Sequence, residues 1–411
     1  MSQDFTDPGF DAGQRLQTAH GSGQLRVLAV LSALMGFASI STDLYLPAMP
    51  AMANDLRADT GAMELTVSGF LIGFSLGQLL WGPLGDRYGR RLPVAIGIML
   101  FVSGSAGCAL ADSATHLIFW RVVQAVGACS GVVLSRAMVR DLYEGPRAAQ
   151  MLSTLITVMA VAPLLGPLVG GQVLSLAGWR AIFWLLVLLG LLTLAALFTI
   201  PETLARDKRR QDSVVAAISG YGKLLLDRRL VGFAAVGGFF YIGVYAYIAG
   251  TPFAFIEYYQ VPPQLYGILF ALGILGIMSA NMINARAVTR YGSRRLLQFG
   301  AFGAACSGAA VAVIGLAGWG GLLGLAIPLF FFVSWSGLIV ANSIGGAMQS
   351  FPERAGAASA LVGALHYGSG ILGSAAVSWL ADGTPRSLVI VVAISGLGTV
   401  ACLALLPARQ A

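Results

Sequence analysis

The sequence predicts an all-α membrane protein of twelve transmembrane helices in two pseudo-symmetric six-helix bundles. Three observations carry that prediction: an apolar composition, a succession of apolar runs of membrane-crossing length, and a charged loop that recurs half a chain later. Of 411 residues, 57% are hydrophobic and only 10% charged, with mean hydropathy +0.79, whereas a soluble domain carries about 25% charged residues. The 53 glycines suit helices that approach closely where lipid supplies no hydrophobic drive between them. The formal charge of +7 resides in short segments between apolar runs, so it points to topology and not to nucleic acid.

About 20 apolar residues in a helix cross the ~30 Å hydrocarbon core. Residues 1–26 are polar and acidic (Asp4, Asp7, Asp11) and lack the basic start and cleavage site of a signal peptide; they read as a cytoplasmic tail before an uncleaved span. The spans of the first half fall at 27–50, which holds Asp43 and Pro47; 62–84, running into a charged loop; 92–111; 116–139, which holds Arg121; 150–175, with Pro163 and Pro167; and 180–200. A polar linker, 201–228, separates them from the second six at 229–255, 265–288, 296–316, 320–349, 356–380 and 387–407. The run 320–349 is long enough to be tilted or to include loop. The domains are thus a tail (1–26), two bundles (27–200 and 229–407) joined by the linker (201–228), and a short C-terminal tail (408–411).

With the N-terminus in the cytoplasm, 21 of the 25 Lys and Arg fall on the cytoplasmic side, as the positive-inside rule requires. Only Arg57, Arg180 and Arg386 fall outside, and Arg121 stays within a span. The halves are related: Arg87-Tyr88-Gly89 and Arg290-Tyr291-Gly292 lie 203 residues apart, each joining the second and third spans of its half. The second copy is degenerate, with Thr289 in place of Asp86 and an inserted-looking Ser293. Two such halves place a transport site at their interface near the midplane.

The first copy, GPLGDRYGRR at 82–91, resembles the loop signature G-x-L-a-D-r-x-G-r-k of the major facilitator superfamily, matching at Gly82, Leu84, Asp86, Arg87, Gly89, Arg90 and Arg91. With twelve spans and the repeat, the resemblance extends over nearly the whole chain and implies the major facilitator fold. It also implies that this loop is a conformational latch holding the halves together in the outward-facing state. Physically, Gly82 is expected to admit a neighbouring helix, Gly89 to take a positive φ, and Asp86 to accept charge-assisted hydrogen bonds. A role for Arg87, Arg90 and Arg91 in topology alone leaves Asp86 and the glycines unexplained.

Asp43, in STDLYLPAMP, reads as the one acid well inside a span; Glu64 and Glu257 lie nearer span ends. An ionisable residue at the bilayer centre costs roughly 2.5–3.5 kcal/mol. A sheltered carboxyl favours its neutral form, so Asp43 is placed to bind and release a proton in each cycle. The plainer reading has it in a wet vestibule or capping a helix broken by Pro47. TDLYLPAMP resembles the first-helix motif of the Bcr/CflA branch of drug:proton antiporters, although Met35 stands where some drug antiporters carry a second acid. LIFWRVVQAVGA resembles the fourth-helix motif l-x-x-x-R-x-x-q-G-x-g, with Arg121, Gln124 and Gly127 in place and Ala125 for a usual Gly. A guanidinium does not deprotonate in proteins, so Arg121 is expected to answer the carboxylate's charge and not to carry the proton; a structural Arg–carbonyl arrangement is the alternative.

In the fifth span, VMAVAPLLGPLVGG resembles the antiporter signature g-x-x-x-G-P-x-x-G-G through Gly166, Pro167, Gly170 and Gly171, with Ala162 for the first small residue and Pro163 extra. Each proline removes a helical hydrogen bond and the glycines expose backbone, so a kinked, closely packed hinge is expected. Tyr45, Gln124, Tyr241, Tyr245 and His366 are the candidate substrate-binding residues, Tyr45 lining a cavity with the two tyrosines one turn apart on the seventh helix.

The reading that follows is a proton-coupled antiporter of the bacterial inner membrane, exporting small, partly apolar drugs of the bicyclomycin or chloramphenicol kind. The alternative cargo is an amino acid, small peptide or other metabolite, with drug export incidental. Its partners are the small-molecule substrate, protons and membrane lipids; it is expected to bind no nucleic acid and to act as a monomer with both termini cytoplasmic. No cofactor or metal is expected: His20, His116 and His366 are scattered, and Cys108, Cys129, Cys306 and Cys402 lie in apolar runs without CxxC spacing and read as packed thiols. Gly222-Lys223 is followed by Leu224 and lacks a P-loop's preceding glycine, which argues against an ATP-driven pump. No nucleophile–base pairing suggests an enzyme.

Overall fold

A computed structural model of the chain describes residues 22–209 and 221–406. Residues 1–21 of the expected N-terminal tail, 210–220 of the linker and the tail 408–411 lie outside the described residues.

The described chain is helical throughout. The first half comprises α1 (Ser22–Asp43), α2 (Thr60–Tyr88), α3 (Arg91–Ala109), α4 (Ala114–Leu142), α5 (Gly145–Ala177) and α6 (Trp179–Leu197). The second comprises α7 (Arg228–Pro252), α8 (Pro263–Tyr291), α9 (Ser293–Ala317), α10 (Gly321–Ser334 and Ser336–Ser350), α11 (Ala355–Trp379) and α12 (Arg386–Ala401). Eleven stretches are long and apolar enough to cross a membrane, and α5 contributes a shorter apolar run, Val161–Ala177; together they give twelve helices, the number expected from the sequence.

Local chemistry sets the ends. Asp59 caps α2 by accepting from the Ala62 N–H at 2.6 Å, Ser113 caps α4 through the His116 N–H, and Asp227 caps α7 through the Arg229 N–H; such caps satisfy donors that a helix start leaves open. The repeat is visible in backbone geometry: Gly89 and Gly292, the paired glycines of the two loops, have φ of 90° and 76°, a region costly for any side chain. Before Pro47, α1 ends at Asp43; a 3-10 turn (Leu46–Ala48) redirects the chain into a short helix, Met49–Asp55. The long run 320–349 contains a break at Trp335, whose indole donates to the Ser307 hydroxyl at 3.1 Å. Likewise α7 loosens at its end into a π-helical turn, Phe253–Tyr258.

Within the first half α4 packs on α1, α2 and α3, and α3 on α6; within the second, α7 packs on α11 and α12, and α9 on α12. The halves meet through α2 against α11 and α5 against α8. These contacts gather at the end of the molecule opposite loop 82–91, here termed the far end. Ser378 donates to the Gly61 carbonyl at 2.7 Å and the Ser68 and Ser374 hydroxyls are 2.7 Å apart, while Gly171 lies against Pro263. Contact between α2 and α11 continues past mid-length, where Phe74 meets Tyr367 and Gln78 adjoins Gly363.

Large apolar side chains such as Met99, Leu192, Phe302 and Leu397 face outward, as a lipid-facing surface demands. Cys306 shares that surface, contrary to the expectation of a packed thiol, whereas Cys108, Cys129 and Cys402 are buried. An apolar run shows that a residue is in the membrane, not which way it faces.

Candidate functional site

Asp43 is the last residue of α1 and is 5% exposed. Its burial comes from α5: a Cβ at Gly166 would lie 2.9 Å from the Asp43 Cβ, and one at Gly170 would overlap the Leu44 carbonyl. The expected glycine packing is therefore the surface on which the broken end of α1 rests, and α5 runs helical through Pro163 and Pro167. Gly170→Val is expected to destabilise the fold by about 1–3 kcal/mol, as overpacking does, read as a lower unfolding temperature in detergent; Gly345→Val, at a helical glycine with open space around it, reports the same substitution without the clash.

Arg121 is fully buried. Its Nη1 donates to the Ser41 carbonyl at 2.9 Å and to Gln124 Oε1 at 2.6 Å, and its guanidinium lies 4.2 Å and 4.4 Å from the ring centres of Tyr45 and Phe70. Gln124 in turn donates to Ser105 Oγ at 2.8 Å, and the Tyr45 hydroxyl pairs with Thr66 Oγ1 at 3.0 Å. This clamp fixes the cation, yet Arg121 Nε and Nη2 find no partner, leaving donor capacity in a buried setting. Arg121 is the charged neighbour of Asp43, although no ion pair joins them among the described residues.

Across the interface, Tyr241 lies 5.8 Å from Tyr245, 5.0 Å from His366 and 5.6 Å from Tyr367, measured between ring centres. Phe74 of the first half completes this aromatic wall against Tyr367 at 4.6 Å. His366 is 1% exposed and neither ring nitrogen has a partner. Asp43 of one half lies within electrostatic range of Tyr245, Tyr247, Tyr266 and Tyr367 of the other. The fold thus brings together Asp43, Arg121, Tyr245 and, through the wall, Tyr241 and His366. It turns Tyr45 and Gln124 toward Arg121: the ring contact of Tyr45 is with Phe183, not with the tyrosines of α7.

Loop 82–91 is organised around Arg90, which is buried and bridges Asp86 at 2.7 Å and Asp141 of α4 at 2.8 Å. Asp86 accepts from an arginine as expected. The start of α3 is capped by Glu202, beyond α6, which accepts from the Arg90 N–H at 2.8 Å and the Arg91 N–H at 3.2 Å. Thr203 donates to Asp141 at 3.2 Å, and Arg87 stacks over Tyr88. A Cβ at Gly89 would meet Glu202 and Arg209. Gly82 corrects an expectation: nothing lies within 4 Å of a Cβ built there, and Gly85 is the close contact, against Leu134 and Arg90. Arg90→Ala leaves Asp141 without its main partner and is expected to cost about 1–3 kcal/mol, measured by unfolding in detergent, with Arg90→Lys recovering part.

A buried acid outside the expected set is Glu64, 2% exposed, with Oε2 unpartnered. It lies near a span end, as read from the sequence, and lines a pocket whose other residues include Phe253, Glu257 and Leu388 of the second half.

A profile of the family described as Major Facilitator Superfamily matches residues 31–374. Among curated relatives, an uncharacterized MFS-type transporter, YdgK, of Bacillus subtilis (strain 168) is 35% identical over 353 residues, covering 85% of this chain and 88% of its own. A bicyclomycin resistance protein homolog of Haemophilus influenzae is 29% identical, covering 86% and 89%. Among solved structures, the partially occluded inward-open xylose transporter XylE of E. coli superposes with TM-score 0.72 at 16% identity, covering 92% of this chain and 96% of that one, a likeness of fold.

Proposed function

The chain belongs to the major facilitator superfamily, and from that premise we propose that it is a proton-coupled antiporter that exports small, partly apolar drugs by alternating access. The observation that carries the reading is Asp43: a buried carboxyl where α1 ends on α5, within electrostatic range of the clamped Arg121 and of Tyr245 and Tyr367 in the second half. The similarity to a bicyclomycin resistance protein homolog and to a chloramphenicol resistance protein of Pseudomonas aeruginosa supports drugs of that size and polarity as cargo.

In this reading the loop end faces the cytoplasm of a bacterium, the protein sits in the inner membrane as a monomer, and the closed far end corresponds to the state that loads cargo from inside. Cargo stacks on Tyr241, Tyr245 and Tyr367, the unpartnered His366 nitrogens meet its polar group, and its arrival accompanies loss of the Asp43 proton to the cytoplasm. Arg121 then balances the carboxylate. When the loop end closes and the far end opens, Asp43 takes a proton from outside and the cargo leaves. Tyr45 and Gln124 act by holding Arg121, and the α1–α5 glycine contact transmits the state of Asp43 to a helix that also touches the second half.

The energetics suffice. At about 150 mV, with ~2.3 kcal/mol per charge per 100 mV, one proton supplies ~3.5 kcal/mol, and at 1.4 kcal/mol per decade that sustains roughly a 300-fold gradient of an uncharged drug. The test is exchange in proteoliposomes: an inward-directed proton gradient should drive chloramphenicol or bicyclomycin against its own gradient, and adding the drug should move protons the opposite way. Transport without proton movement would replace this reading with a uniporter.

A further inference from the structure

At the far end, a pocket opens between the halves that the exchange at Asp43 does not use. Thr60 and Glu64 of α2 form one side; Glu257 and Tyr258 of the π-helical turn, and Thr384 and Ser387 around the start of α12, are among those forming the other. Glu64 sits at the buried inner side with Oε2 unpartnered, and Glu257 is exposed. No Lys, Arg or His is among the described residues lining the pocket.

Among the described residues no ion pair joins Glu64 to a cation, and the charged group acting on it is another acid. Just before Glu64's own helix, Asp59 lies nearby and already serves as the cap of α2. On the short helix packed against α2, Asp55 is engaged by the Trp179 indole and Arg180. In the loop that follows α11, Asp382 is held below the usual carboxylate range by the Thr384 hydroxyl and N–H, with Arg386 adding to it, so that acid stays ionised and adds negative charge. An ionised Glu64 in the closed seal would be an unpartnered buried charge among acids, strongly disfavoured.

Separating the halves removes the second half's wall of this pocket and gives Glu64 to water. We propose that Glu64 is a second proton-binding site, lying in the far-end seal and distinct from Asp43, and that proton uptake there favours closure of the two halves at that end. The inference rests on the alternating-access reading above. The sign follows from linkage: the closed state holds the neutral acid, the open state tolerates the ionised one, so falling pH favours closure and rising pH favours opening. During export, Glu64 would take its proton as the far end closes behind departed cargo and lose it to the outside when that end reopens.

The test measures far-end separation by paired spin labels at Asn54→Cys and Trp379→Cys, both exposed, on a Cys306→Ser background in lipid nanodiscs. Asp43→Asn is included throughout to remove the first proton site. With Glu64 intact, the closed-to-open ratio should rise as pH falls, by up to about tenfold per unit for one linked proton; adding Glu64→Gln should hold the far end closed and make the ratio flat. A flat profile with Glu64 intact, an unchanged slope in Glu64→Gln, or closure that follows added sodium or an organic amine at fixed pH would overturn the proposal. A measurement on the unsubstituted acid supports the variant: an apolar carbodiimide, which reacts with protonated carboxyls, should modify Glu64 when the far end is closed and fade as pH rises, and no modification in the closed state would also overturn it. Failure of the antiport reading shows separately, as wild-type drug transport without proton movement in proteoliposomes, and the label distances then decide on Glu64 by themselves.

Discussion

Asp43→Asn is expected to abolish uphill drug export while leaving a folded protein that still exchanges drug down its gradient. The amide has nearly the same shape as the protonated acid, so the contact with Gly166 of α5 survives and the variant mimics the permanently neutral state. What it lacks is the ability to give up a proton. The roughly 300-fold gradient that one proton can sustain should therefore collapse to equality of the drug on both sides. Proteoliposomes check this directly: efflux against a gradient should vanish, and counterflow of labelled drug should remain. Loss of both, with normal elution and unfolding, would point to Asp43 as a structural residue or a cargo contact and not as a proton carrier.

The second large effect is expected at Arg121→Ala. The guanidinium fills the space between Tyr45 and Phe70 and holds the Ser41 carbonyl and Gln124. A desolvated cation over an aromatic face is worth about 2 kcal/mol, and a hydrogen bond from a charged group about 1.5–3 kcal/mol. These do not add, because removing Arg121 also relieves the burial of a charge; a net loss of about 3 kcal/mol is expected, seen as a lower unfolding midpoint. Transport should be lost as well, since the carboxylate of Asp43 then has no counter-charge. Arg121→Lys separates the two contributions: it keeps the charge and loses the planar stack and fork, so it should recover more transport than stability. Equal recovery of both would mean that Arg121 acts through packing alone.

Much of the fold was legible because lipid imposes a plain requirement, a run of about 20 apolar residues for each crossing, and a charge inside such a run stands out. Asp43 and Arg121 were visible for that reason, and Gly166 and Gly170 because close helix contact needs the absence of a side chain. Contacts that depend on which face a helix presents were not legible. Gly82 and Gly85 lie most of a turn apart, and only the packed structure shows that Gly85 is the one against α4. Tyr45 appeared free to join Tyr241 and Tyr245 until the 3-10 turn after Asp43 redirected it toward Arg121 and Thr66. Asp141 and Glu202 sit at the ends of α4 and α6, far in sequence from the loop they organise; the charged residues after each span hinted only that these ends leave the membrane. Glu64 was hidden by its position two residues into a span, since the pocket it lines is completed by the second half.

The central claim is that proton and cargo compete through one carboxyl at the boundary of the halves. The most direct measurement is proton release on adding chloramphenicol or bicyclomycin to the purified, weakly buffered protein, wild type against Asp43→Asn. The account predicts that drug binding expels a proton from the wild type and none from the variant, with the variant still binding drug. Undiminished proton release from Asp43→Asn, or drug binding to the wild type with no proton expelled at any pH, would contradict it.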